Sequence, residues 1–184
     1  MVRANTIRQD IEQAIRDCLG SISVSINNCR LGIYDCGSVK EMANVRRPRR
    51  PTKNIDVHGA GAYVFFDEST IYYVGEANDV ARRLLNEHCE AHIGGSEGVV
   101  RFLMQYLDEV CSHRNKWIGL DAKGREDAVK DILKNKISRL KIYIVTCYGL
   151  NDEVKNGRRI KNRLRASLED CLINRLKPIL QKAT

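Results

Sequence analysis

Three kinds of side chain in this 184-residue chain are of the types that handle phosphate esters, and two of them fall close together. Tyr63 and Tyr73 are phenols in two short runs, Gly61-Ala62-Tyr63 and Tyr73-Val74-Gly75. Arg82 and Arg83 follow, and Glu169 lies far downstream in Leu168-Glu169-Asp170. Hydrolysing a phosphodiester requires a nucleophilic water, positive charge on the phosphoryl oxygens and a route for charge on the leaving oxygen. A guanidinium is always protonated and forked, so it suits the non-bridging oxygens. A carboxylate offers a hard oxygen to Mg²⁺ or Mn²⁺, ions that keep several waters and bind through one or two carboxylates. A free phenol near pKa 10 is a poor base at neutral pH and must be tuned by cations or a proton shuttle. His88, just over one helical turn beyond Arg83, is either that shuttle or an ordinary surface histidine.

The elements around these residues can be read from pattern. Ala62 to Phe66 and Ile71 to Gly75 are rich in aromatic and β-branched residues and flank the polar Asp67-Glu68-Ser69-Thr70, which predicts a β-hairpin. Side chains alternate along strands, so Tyr63 and Tyr73 share a face only as cross-strand partners or an even step from partners. That favours a five-residue turn from Phe66 to Thr70, pairing 65 with 71 and 63 with 73. A helix follows, capped by Asn78 or Asp79, with Val80, Leu84 and Leu85 inward and Arg82 and Arg83 near the stripe edge. Leu140 to Cys147 predicts a third strand. A last helix over about Arg158 to Leu176 turns Leu164, Leu168, Cys171, Leu172 and Leu176 inward and ends before Pro178. Glu169 lies beside that stripe, and Asp170 points about 100° away from it.

Taken together, these residues resemble the GIY-YIG nuclease family, in which a Gly-x-Tyr strand, a Tyr-x-Gly strand and an arginine on the next helix converge at one phosphodiester-cleaving site. The resemblance places the arginine eight residues after the second glycine, at Arg83. It places the later glutamate at Glu169 and the proline nine residues beyond at Pro178. Where the family usually has asparagine, this chain has Gln181. The first strand reads Gly-Ala-Tyr rather than Gly-Ile-Tyr; the literal Gly32-Ile33-Tyr34 upstream is set aside because the basic run separates it from Tyr73. The resemblance implies Tyr63 as general base, Tyr73 as orienting the water or phosphate, Arg83 on the phosphate, and Glu169 as ligand to Mg²⁺ or Mn²⁺. Some members carry a lysine after the Tyr-x-Gly. Here Glu76 removes that charge; either the basic arm or the Lys155 to Arg165 run replaces it, or the site is slower.

A net charge of +8 and a pI near 9.2 suit a phosphate-binding surface. Arg46, Arg47, Arg49, Arg50 and Lys53 place five positive charges in eight residues, and the two prolines among them favour an extended arm. Lys155 to Arg165 places six in eleven with no acid. Such crowding calls for an anion opposite, which a DNA backbone supplies together with counterion release. Arg158, Arg159, Lys161, Arg163 and Gln181 are therefore read, with the arm, as DNA contacts.

Seven cysteines at irregular spacing and no secretory signal predict reduced thiols in a cytoplasmic, nucleoid-associated protein, with Cys147 and Cys171 as small core residues. His88, Cys89, His92, Cys111 and His113 are either a zinc cluster or ordinary core and surface residues. No apolar run approaches the ~20 residues of a membrane span. Asn5 to Leu19 predicts an amphipathic helix with a Thr6/Gln9 capping box, its apolar face meant for the main domain or for a dimer partner. Ser21 to Ala43 holds at most weak strands. Helices are expected over Val99 to Cys111 and Arg125 to Ile137, within an insertion of about 94–138 used for target recognition, dimer contacts or packing alone.

The expectation is thus a mixed α/β domain over 59–184, with a small three-stranded, mainly antiparallel sheet flanked by helices, preceded by a helix and basic arm over 1–58. Its implied activity is metal-dependent DNA cleavage of the restriction type. Structure-specific repair, a mobile-element nuclease and a DNA-binding protein with a degenerate site are the alternatives. A homodimer is attractive because a one-site subunit cuts one strand.

Overall fold

A computed structural model of the chain describes residues 2–44, 58–94, 97–113, 115, 117–155 and 158–181, with backbone alone at 2–5, 42–44, 154–155 and 158–159. Two strands in the middle of the sequence set the framework. Gly61–Phe66 (β2) and Ile71–Ala77 (β3) form the hairpin, closed by Asp67, whose carboxylate accepts from the backbone N–H groups of Ser69 and Thr70 at 2.8 Å each. Lys141–Cys147 (β4) lies along the other side of β2, and Cys29–Tyr34 (β1) pairs with β4. The sheet order is β1-β4-β2-β3, with every neighbouring pair antiparallel. The expected three strands are therefore four. The fourth is the Leu31-Gly32-Ile33-Tyr34 stretch, a weak signal in isolation because its residues are only half-buried at a sheet edge.

Both faces of β2 are covered, and its alternation separates two cores. Ala62, Val64 and Phe66 face one apolar cluster, while Tyr63 and Phe65 face the other. Val2–Ser21 (α1) and Arg163–Leu176 (α7) cover the first face. Ile11, Ile15 and Leu19 of α1 are fully buried, each contributing about 1.5–3 kcal/mol of transfer free energy. The face expected to dock or to dimerise thus docks, against α7 and the sheet. Because α1 begins before Thr6, the Thr6/Gln9 pair is not its N-terminal box.

Cys36–Asn44 (α2), Val80–Arg83 (α3), Glu97–Gln105 (α4) and Ala122–Ile137 (α6) gather on the second face, and Leu107–Ser112 (α5) follows α4 with its Glu109 bridged by Lys136 of α6 at 2.5 Å. The helix expected as one piece from Val99 breaks at Tyr106, between α4 and α5. α6 starts three residues earlier than periodicity indicated, because Asp121 caps it by accepting from the Gly124 N–H at 2.7 Å. The expected start of the last helix is corrected too. Glu153–Lys155 (β5) and Arg158–Ile160 (β6) form a separate two-stranded ribbon, and α7 begins only at Arg163 behind the cap Asn162. Leu164, expected inward, is 39% exposed, whereas Leu168 and Leu172 are buried.

The cysteines overturn the expectation of reduced thiols. Cys18–Cys171, Cys29–Cys147 and Cys36–Cys89 are disulfides with sequence separations of 153, 118 and 53, and Cys111 is free and exposed. Spacing could not reveal them, since each joins residues made neighbours only by the fold. Such usage belongs to oxidising compartments or to the interior of hyperthermophiles. The zinc reading falls with it, because the Cys89 sulfur is bonded to Cys36; among the described residues no group of three or more His, Cys, Asp and Glu side chains is placed to hold a metal ion. No helix among them is long and apolar enough to cross a membrane.

Candidate active site

The phenols come together through a register different from the expected one. Tyr63 lies opposite Gly75 and Phe65 opposite Tyr73, with a bulge that leaves Tyr72 as the extra residue before Phe66 meets Ile71. Tyr73 is thus an even step from the partner of Tyr63, and the two rings share one face at 6.3 Å between centroids. The bulge turns Tyr72 toward the same core, where its hydroxyl donates to Asp67 at 2.8 Å. Glycine at position 75 has a spatial reason: a Cβ there would lie 2.4 Å from the Tyr63 ring.

After Asp79, whose carboxylate accepts from the Arg82 N–H at 3.1 Å, α3 runs into a π-helical turn over Leu84–His88. Such turns widen the backbone and frequently sit at functional sites. This one buries His88 completely and places its Nε2 2.9 Å from the Tyr63 hydroxyl. His88 is therefore no surface histidine. Its ring also contacts Tyr73 at 5.5 Å between centroids, and its Nδ1 is buried without a hydrogen-bond partner among the described residues. Gly98 of α4 closes the pocket from above, so close that a Cβ would sit 2.6 Å from the imidazole and 2.9 Å from the Tyr73 ring.

Burial, reinforced by the Arg83 charge, pushes His88 down to about 3, so the imidazole is neutral at physiological pH. Burial likewise holds the Tyr63 hydroxyl well above the ordinary phenol range, and Tyr73 is raised to about 12 by burial and then by Glu169. Tyr63 and His88 are thus a neutral hydrogen-bonded pair. Arg83 donates from Nη1 to Glu87 at 2.6 Å and remains partly exposed. Its charge is felt at Tyr63, Tyr73, His88 and Glu169.

Glu169 stands on α7, which packs against β3, and its charge is felt at Tyr63 and Tyr73. Burial first, then the charges of Glu76 and Asp170, raise it to about 7 against the counter-effect of Lys161 and Arg83. Among the described residues no hydrogen-bond or ion-pair partner accompanies its carboxylate. Glu76 itself is neutralised: Lys161 bridges it at 2.9 Å, and the Arg165 guanidinium bonds its other oxygen. Two members of the Lys155 to Arg165 run thus pair with the acid that stands after the Tyr-x-Gly.

Several expected DNA contacts turn out otherwise. Gln181 donates to the Val74 carbonyl at 2.8 Å and accepts from the Val74 N–H at 2.7 Å, so both ends of its amide clamp the C-terminal segment onto the β3 edge. The N–H groups of Ile179 and Leu180 add bonds to the Ile71 and Tyr72 carbonyls at 3.0 Å each. With its amide occupied by backbone, Gln181 is a structural residue rather than a phosphate contact. Lys161 is shared with Glu76, while Arg163 is exposed. Arg46, Arg47, Arg49, Arg50 and Lys53 lie outside the described residues, as do the side chains of Arg158 and Arg159.

Three contributors went unnoticed in the sequence. Arg165, buried to 3% exposure, binds Glu76, Asp152, Asn78 and the Leu150 carbonyl, although the pattern placed it in a basic run facing DNA. Nothing in its spacing separates it from its neighbours. Glu87, by contrast, is four residues beyond Arg83, the spacing of a helical ion pair. Gly98, in a glycine-rich break, gave no sign of touching the site. Comparisons with protein-family models, with curated proteins and with solved structures return no match for this chain.

Proposed function

We propose that the chain is a divalent-metal-dependent DNA endonuclease of the GIY-YIG type, cleaving in the restriction manner. The observation that supports this reading is the packing of Tyr63, Tyr73 and His88 against one another, with the charges of Arg83 and Glu169 near enough to act on both phenols. Such an assembly has no obvious use in a passive DNA-binding protein, because burying a partnerless carboxylate and an unsatisfied imidazole nitrogen lowers stability.

Mg²⁺ or Mn²⁺, which binds through as few as one carboxylate and keeps its waters, would have Glu169 as its protein ligand. Glu169 is a hard oxygen donor whose repulsion by Glu76 and Asp170 is only partly offset by Lys161 and Arg83. When bound, such an ion would act as Lewis acid on the scissile phosphate and its leaving oxygen.

The chain's own residues supply the rest. Arg83 holds the non-bridging oxygens, exchanging or sharing its contact with Glu87. Burial is the main cause that depresses His88 and the Arg83 charge the lesser one, so a phosphate seated on Arg83 relieves only the lesser part. Tyr63 then takes a proton from the attacking water while passing its own hydroxyl proton to Nε2 of His88. Tyr73 orients the water or phosphate, and the Gly98 backbone keeps bulk water off the pair.

The test is incubation of plasmid DNA with the protein and Mg²⁺. Nicking or cutting should be abolished in Glu169→Ala and reduced by about 10²–10⁴ in Tyr63→Phe, the usual worth of a general base. Wild-type protein that binds DNA but cleaves neither plasmid, single-stranded nor branched substrates with any divalent metal would falsify the enzymatic reading. Discrete fragments identify restriction-type cutting; cleavage confined to branched DNA identifies repair.

A further inference from the structure

Arg83 is not the sole guanidinium beside the phenols. We infer that Arg101 on α4 is a second phosphate grip, holding the DNA backbone phosphate next to the one seated on Arg83, so that the site takes two consecutive phosphates of one strand. The scissile role of the first phosphate rests on the nuclease reading; the contact between Arg101 and the backbone does not.

α4 meets the site at Gly98, where an added Cβ would lie 2.9 Å from the Tyr73 ring and 3.0 Å from its hydroxyl. Arg101 stands three residues on and so shares that side of the helix, and the ring of the adjacent Phe102 lies 6.2 Å from that of Tyr73. Arg101 Nη1 donates to the Leu180 carbonyl at 2.7 Å, and the Leu180 N–H donates to the Tyr72 carbonyl at 3.0 Å. Two bonds thus hold the guanidinium beside the strand that carries Tyr73. The Arg101 charge acts on Tyr73 more strongly than the Arg83 charge does, whereas at His88 it is Arg83 that acts. Arg101 is therefore the cation at the Tyr73 end of the cluster and Arg83 the one at the His88 end.

Both arginines are held in the same way, each by a glutamate four residues away on its own helix: Arg83 by Glu87 at 2.6 Å and Arg101 by Glu97 at 2.5 Å. Arg101 donates to the one oxygen Glu97 Oε1 from Nε and Nη2, and to Leu180 from Nη1. Those bonds engage three of the five N–H donors of a guanidinium, so two are left, among the described residues, for an incoming acceptor. The Glu97 side chain is 78% exposed, and an exposed pair of this kind is weak. A phosphate, which takes charge-assisted, forked bonds from arginine, displaces such a partner. A strand that presents one phosphate to Arg83 carries the next about 3.4 Å further along its axis, within the neighbourhood that Arg101 serves. A lone phosphodiester leaves Arg101 with Glu97, whereas a polynucleotide engages both guanidinia.

The experiment uses the full chain without added metal and a fluorescent duplex of about 30 base pairs, titrated by anisotropy across a salt series. Arg101→Ala should weaken binding severalfold and lower the slope of log affinity against log salt by about 0.9, the share of one phosphate contact. Arg16, paired with Glu12 on α1 at 2.7 Å, is the matched control, and Arg16→Ala should leave the slope unchanged. Gln181→Ala loosens the same C-terminal tail that Arg101 holds through Leu180, and it too should leave the slope unchanged. The double change Arg83→Ala with Arg101→Ala should lower the slope by about 1.8, twice the single loss, because separate phosphates add. A loss in Arg101→Ala no larger than that in Arg16→Ala overturns the inference. So does an equal loss in Gln181→Ala, which would make Arg101 a tail clamp, or a double loss no larger than a single one, which would put both arginines on one phosphate. Cleavage of plasmid by the wild type with Mg²⁺ is scored separately. Additive losses of binding without cleavage remove the nuclease and keep the grip, whereas cleavage with unchanged binding in Arg101→Ala does the reverse.

Discussion

Replacing Glu169 with glutamine should stabilise the protein at alkaline pH and leave it nearly unchanged in acid. The carboxyl of Glu169 titrates at about 7 in the folded chain against 4.5 for an unperturbed glutamate. The folded state therefore holds the proton more tightly than the unfolded state between those values. Stability contributed by the protonated group is present below 4.5 and is lost as pH rises through 7. A difference of two to three pKa units corresponds to about 3 kcal/mol. Glu169 is only partly buried, and solvent screening reduces the figure to roughly 1–2 kcal/mol. For a chain of this size that is a gain of roughly 2–8 °C in Tm at pH 8, with the two proteins converging toward pH 5. His88 and the other titrating groups are common to both proteins and cancel in the comparison.

Thermal melts monitored by circular dichroism at pH 5 and pH 8, with and without Mg²⁺, make the measurement. Mg²⁺ at pH 8 should raise the wild-type Tm and narrow the gap, since the cation supplies the missing counter-charge. A gap independent of pH would show that Glu169 is not raised by its surroundings. Equal shifts of both proteins by Mg²⁺ would show that the metal binds elsewhere.

Other outcomes follow from the same geometry. Gly75→Ala forces a Cβ into the Tyr63 ring and should cost about 1–3 kcal/mol in a chemical melt, along with the Tyr63–His88 bond. His88→Phe removes a buried imidazole whose pKa is depressed to about 3. Wild-type stability contributed by this neutral group is present above pH 6.5 and lost as pH falls toward 3, so acid melts should be shallower in the variant. Gln181→Ala breaks two bonds to Val74 and should lower stability by about 1–3 kcal/mol while leaving the salt slope of DNA binding untouched. Reducing Cys18–Cys171 by a Cys171→Ser change should cost about 2–5 kcal/mol in the same melts.

The hairpin, the third strand and the Arg83 helix were legible because each depends on short-range alternation and caps. Register was not, since the bulge puts Tyr72 against Phe102 of a helix distant in sequence as well as against Asp67 of the turn, and the first of these contacts has no local signal. The Arg158–Ile160 strand was hidden by a helical reading of its basic residues, even though Asn156-Gly157 is a strong hairpin dipeptide. His88 could have been found from Leu84, four residues earlier on the same inward stripe. The disulfides and the Gln181 clamp could not, because both link segments more than fifty residues apart, and no local pattern encodes which segments meet.

All three cystine bridges share one arrangement: Cys18, Cys29 and Cys36 precede the arginine-rich segment, and their partners Cys171, Cys147 and Cys89 follow it in reverse order. A protease cut anywhere between residues 45 and 57 therefore divides the polypeptide without dividing the particle. Such nicked protein should migrate as one species on a denaturing gel run without thiol and as two once a reductant is added. It should also retain its sheet, since β1 stays moored to β4 through Cys29 and Cys147.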